Sequence, residues 1–300
     1  MPWPTTSDQP APLNFSPREW WGLFLLLGVL FIWTLAPLAG FDFWYYLAVG
    51  REIAQTGQIP WAQSYLGTTS TLAFGRYADA AWLAYLLCYL VYASTGLPGL
   101  VFLKSFLLTA TTGLVYLSSR LCGLSPFWAA AWSTLGLWTI RGRFEMRSYL
   151  FTDLALAVLV TLLILAERDH NIRRTALGLA VLFVIWTNLH QGILAGFLIM
   201  GCWMLFGRMA WKQRVGLTVL AGACSMVKPH ALAFPGFIYD HFANSSAIDG
   251  VVEWAAPGAA VFLYQLGPLY LVLLAVAASA TLRLWRQGSP PPWAFGIIAL

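Results

Sequence analysis

The feature that most constrains this chain is a succession of uncharged apolar runs, several close to the ~20 residues that cross a bilayer as helix, separated by short polar segments. In hydrocarbon every backbone N–H and C=O must be paired inside its own segment, so such runs fold as helices. Composition agrees, since 59% of the 300 residues are hydrophobic and only 10% are charged. The expected fold class is an all-α polytopic integral membrane protein. A formal charge of +5 then says little about nucleic acid, because basic residues in such a chain mark helix ends, and no nucleic-acid motif is present. Cys88, Cys122, Cys202 and Cys224 lie in or beside apolar runs with no CxxC spacing, which suggests neither a disulfide framework nor a zinc site.

Residues 1–19 are proline-rich and lack the basic region and cleavage site of a secretory signal, so they read as a short cytoplasmic tail. Residues 20–300 read as a transmembrane domain of about eight spans: 20–39, 97–119, 124–140, 148–166, 175–189, 191–207, 215–227 and 259–282. The last apolar stretch, Trp293 to Leu300, is too short for a span, so the natural protein is expected to continue or this stretch to rest on the membrane. Residues 81–95, AWLAYLLCYLVYAST, are ambiguous, being short for a span and ended by TGLPG. If they lie along the interface, the outer loop covers 40–96 and the cytoplasmic side receives ten of the 17 basic residues, among them Arg18, Arg120, Arg208 and Arg214. That satisfies the positive-inside bias and describes a multi-pass protein of the inner (plasma) membrane with a cytoplasmic N-terminus. A crossing at 81–95 with the N-terminus outside is also compatible with the charge rule, but it separates Asp42 from the other polar groups.

The outer loop is the longest polar interruption, and it places Asp42 three residues beyond the first apolar run, where headgroups meet water. Desolvation there can tune protonation, which makes Asp42 a candidate catalytic carboxylate, although a helix-end or capping role explains it equally well. Residues 44–56 can form an amphipathic helix carrying Arg51 and Glu52, followed by the turn signal TGQIP. Glu52 and Asp79 are the candidates for a second acid.

The segment RGRFEMRS over 141–148 sets Arg141, Arg143 and Arg147 on the side where the orientation bias disfavours cations. Guanidinium groups bind phosphate in bidentate fashion, and Arg143 and Arg147 share a face if the segment is helical, so a lipid-linked phosphate is a fitting ligand. The plainer alternative is snorkelling onto bulk phospholipid with a pair to Glu145. Lys104, seven residues inside its run, can snorkel or meet a phosphate. WTNLHQG over 186–192 interrupts an apolar stretch with Asn188, His190 and Gln191, which either cap helix ends and point outward or are simply turn residues. Pro229 and Pro235 break any helix after 227, leaving Lys228 and His230 at the membrane face. Glu253, before Trp254, suits substrate contact or interfacial anchoring.

The order of an apolar run, Asp42 in DFWYYLAVGREIAQTGQIP, and an interfacial helix resembles the GT-C class of membrane glycosyltransferases. Their aminoarabinose and protein O-mannosyl transferases carry an acid followed by a Tyr in the first outer loop. WTNLHQGILAGF stands where those families show a Thr-Lys-Gly turn, and departs from it. A closer likeness, over about residues 20–258, is to bacterial membrane proteins with a D.WWHLA.GR opening, an NLHGG-like turn, an NPYG segment and a later EW.P. Here these become Asp42 to Arg51 with Tyr46 in place of His, Asn188 to Gly192, Lys228 to Ala231, and Glu253-Trp254 with Pro257. The acid of that group's N.EWL motif falls on Ala81, with Asp79 two residues earlier. The resemblance implies an inverting transfer of a sugar from a polyprenyl-phosphate carrier on the non-cytoplasmic face. Asp42 would be the general base toward an acceptor hydroxyl, and cations would hold the leaving phosphate. Such a transfer demands no added cofactor and tolerates a divalent cation. The implied partners are a polyprenyl-phosphate-linked sugar and membrane lipid. The rival from another class is a non-enzymatic transporter or envelope-assembly subunit, whose outer loops line a path or an interface.

Overall fold

The structure is a computed structural model, and it describes residues 15–38, 40, 42–60, 81–141, 144–229, 231–233, 236 and 239. Asp79, Arg143, His230, Glu253 and the span expected over 259–282 lie outside the described residues. Among the described residues every regular element is helical: α1 (Pro17–Thr34), α2 (Asp42–Thr56), α3 (Trp82–Leu121), α4 (Pro126–Thr139), α5 (Tyr149–Asp169), α6 (Ile172–Leu189), α7 (Ile193–Phe206) and α8 (Trp211–Ser225), then a 3-10 turn at Ala231–Ala233. Three of them, α3, α5 and α6, are long and apolar enough to cross a membrane, and α7 is a shorter apolar helix.

Helix ends follow local chemistry. Ser16 caps α1 by accepting from the Glu19 N–H at 3.2 Å, with Pro17 in the first turn, where its missing N–H costs nothing. The helix therefore begins before the Trp20 expected from hydropathy. It stops at Thr34 instead of Ala39, because Pro37 disfavours helical geometry at Ala36. Gly57, at φ 68°, ends α2 where the TGQIP signal predicts.

The two runs either side of TGLPG form α3, which is broken at Gly96 with φ 68° and ψ −161°. The arm over 97–121 is about 37 Å long at ~1.5 Å per residue, enough to cross ~30 Å of hydrocarbon, while the arm over 82–95 reaches only about 21 Å. The short arm packs on α2 so closely that a Cβ at Gly50 would stand 2.2 Å from the Tyr85 carbonyl oxygen.

Two apolar cores result. One gathers α2, both arms of α3 and the start of α5 around Leu47, Val49, Ala84, Leu100 and Leu150; the other gathers α5 to α8 around Leu159, Phe183, Trp186 and Trp203. Polar side chains collect at the two ends of the bundle. At one end Arg120 Nε meets Glu19 Oε1 at 2.6 Å, and Glu167 accepts from Trp203 Nε1 at 2.7 Å and from the Arg208 N–H. Buried Arg214 donates there to the carbonyls of Met209 and Trp203. The end of α1, the start of α2, the start of α5 and the α6–α7 turn form the other end.

Candidate functional site

Asp42 is the first residue of α2, so its carboxylate faces the positive end of that helix while half of its surface stays in solvent. Its Oδ2 lies 2.9 Å from Arg147 Nη2. The same guanidinium reaches a second acid, with Nε 3.1 Å from Glu145 Oε2. Glu145 in turn lies against Gly40, where φ is 83° and an added Cβ would stand 2.9 Å from Oε2, so the chain turns there without a side chain. One cation thus links two carboxylates, one at the start of α2 and one ahead of α5.

Tyr46, one turn along α2 from Asp42, carries the arrangement inward. Its ring stacks on Tyr85 at 4.8 Å and 24°, and its hydroxyl lies 3.5 Å from Ser148 Oγ. Burial pushes the Tyr46 phenol above its ordinary range, against the opposing effect of the Ser148 contact, so it stays a neutral hydroxyl.

Ser148 precedes α5, and Thr152 follows one turn later on the same face. Thr152 Oγ1 accepts from Trp186 Nε1 at 3.0 Å and lies 2.9 Å from His190 Nδ1. The Gly192 N–H donates to that same Nδ1 at 3.0 Å. A backbone N–H can only donate, so Nδ1 is an acceptor and the neutral ring carries its proton on Nε2. The Thr152 hydroxyl, already accepting from Trp186, donates its own O–H in a hydrogen bond to Nδ1. A Cβ at Gly192 would stand 2.5 Å from Thr152 Oγ1, which explains the glycine.

The described candidates fall unequally around this site. Arg147 joins Asp42, but through a turn, since residues 144–148 are not helical and the shared helical face expected for Arg143 and Arg147 does not exist there. The pair to Glu145, the plainer alternative, is present. Glu52 lies ten residues along α2 from Asp42, about 15 Å at ~1.5 Å per residue, and does not converge on it. Lys104 does not snorkel to the surface; it is fully buried and donates to the Ala36 carbonyl at 2.5 Å, satisfying the chain just past α1. Arg141 is exposed, with its guanidinium 4.8 Å over the Trp138 ring. Asn188 is not a turn residue: it accepts from Trp82 Nε1 at 2.7 Å and donates to the Val184 and Val227 carbonyls at 2.8 Å. That strut ties α6 to the short arm of α3 and to the chain at Lys228. Thr152 and Trp186 escaped sequence reasoning because an apolar helix hides which of its few polar atoms meet.

Comparison of the chain with protein-family models, with curated proteins and with solved structures finds no match in any of the three.

Proposed function

We propose that the chain is a multi-pass protein of the inner (plasma) membrane, N-terminus cytoplasmic, that transfers a sugar from a polyprenyl-phosphate donor to an acceptor on the non-cytoplasmic face. The observation that carries this reading is the half-exposed Asp42 carboxylate held by Arg147 beside Tyr46, with His190 set around the same end of α5. The opposite end is rich in arginine, which suits the cytoplasmic side. In the GT-C-like reaction Asp42 takes the proton of the acceptor hydroxyl as its oxygen bonds to the anomeric carbon. The bond from that carbon to the phosphate oxygen breaks on the far side, which inverts the configuration. Polyprenyl phosphate leaves with the electron pair, held by cations of this end. Arg147 is already shared by two carboxylates, so it orients Asp42; the cation proposed for the phosphate is Lys228, with Arg143 and His230, which lie outside the described residues, as the further candidates. Asp79 and Glu253 stay in this reading as contacts to acceptor or donor.

Lys104 favours the second reading, a transporter or envelope-assembly subunit, because a buried ammonium eight residues beyond the Gly96 break is the kind of feature that lines a path. Lipid bound to the purified full-length chain separates the two. Mass spectrometry should find a polyprenyl phosphate or its glycosylated form retained by the wild type. Retention of bulk phospholipid alone would contradict the transferase reading.

A further inference from the structure

We infer that Arg141 and the aromatic rings beside it form a headgroup site for an anionic phospholipid, at the edge where α1 meets α4 and apart from the catalytic carboxylate. Trp33 near the end of α1 stacks on Trp138 near the end of α4, with centroids 5.6 Å apart and planes 8° from parallel. Phe144 meets Trp33 edge-on at 5.2 Å, and the Arg141 guanidinium sits 4.8 Å over Trp138. Trp33 is 38% exposed and Trp138 47% exposed, so these two indoles face outward, while Phe144 behind them packs against the first core. Below it along α1 run Leu25, Val29 and Ile32, each more than half exposed, at the three- and four-residue spacing of one helical face.

The charge on this platform is what names the occupant. Arg147 is neutralised by Asp42 and Glu145, whereas Arg141 makes no ion pair among the described residues and is exposed. An exposed, ring-mounted guanidinium above an apolar stripe offers planar donors to a phosphodiester and a track for the acyl chain. Stacking on Trp138 holds the fork without a carboxylate competing for it. The site rests on the membrane reading and not on sugar transfer, so either can fail without the other.

Native mass spectrometry of the full chain in detergent, titrated with phosphatidylglycerol or with diacylglycerol of matched chains, tests it. The wild type should hold phosphatidylglycerol about tenfold or more tighter than diacylglycerol, a difference that Arg141→Gln abolishes. Arg141→Lys should keep part of the preference, because the charge remains while the planar fork is lost. Trp138→Leu should weaken phosphatidylglycerol binding with the charge untouched, and Arg141→Gln, at an exposed position, should leave thermal stability unchanged. Inorganic phosphate in excess should not displace the lipid. Equal binding of phosphatidylglycerol by wild type and Arg141→Gln would overturn the inference, and ready displacement by inorganic phosphate would make this a free-phosphate site instead.

Discussion

Asp42, Arg147 and Glu145 share their charges near water, and that sets what each can be worth. Asp42 is half exposed, so its bond to Arg147 is screened, and Arg147→Gln should cost only about 0–1 kcal/mol of stability. Any larger loss of transfer in that variant would therefore report orientation of the carboxylate. The Trp186–Thr152–His190 chain is the opposite case. Thr152→Val strands the fully buried Trp186 N–H and should lower stability by about 1–3 kcal/mol, measurable by thermal unfolding. In the wild type, 15N NMR of His190 should show Nδ1 as the unprotonated nitrogen of the neutral ring; a protonated Nδ1 would contradict the Gly192 contact.

Among elements, the junction of α2 with the short arm of α3 bears most directly on the site, because Tyr46 and Tyr85 meet there. Ala is favoured over Gly inside a free helix by about 1 kcal/mol, yet Gly50→Ala should destabilise the protein by about 1–3 kcal/mol, since its Cβ would collide with the Tyr85 backbone. Chemical or thermal unfolding of the variant gives the sign directly. The amphipathic α2, the break at TGLPG and the pair of helices meeting at His190 are all legible, because turn residues and apolar periodicity act locally. The first apolar run, expected over 20–39, forms a helix over Pro17–Thr34, and the residues that shift it, the Ser16-to-Glu19 cap and Pro37, stand in the sequence beside the hydropathy. Partners were another matter. Lys104 reads as an interfacial cation by residue type, and only the fold supplies the Ala36 carbonyl that accepts its hydrogen bond. Likewise, Asp42 and Arg147 are separated by more than a hundred residues, and no spacing rule joins them.

For the molecule as a whole, sugar transfer on the non-cytoplasmic face requires the carboxylate end to face outward and the arginine-rich end inward. With the native cysteines replaced, a cysteine at Gln58, an exposed position just past α2, should react with an impermeant thiol reagent in intact cells, and one at Arg173 should be protected. Protection at both positions, with labelling of a cysteine placed in the N-terminal tail instead, would support the competing topology. The central claim is that Asp42 is a base and not only a helix-end residue. Asn is nearly isosteric, still accepts a hydrogen bond from Arg147, and cannot take a proton from a hydroxyl. The most direct measurement is the cell-envelope glycan profile of deletion, wild-type and Asp42→Asn strains, with expression and thermal stability of the variant checked alongside. If Asp42 is the base, the Asp42→Asn protein should be stable and its profile should match the deletion, with transfer lowered by roughly 10² to 10⁴. A variant that restores the full wild-type profile would contradict it.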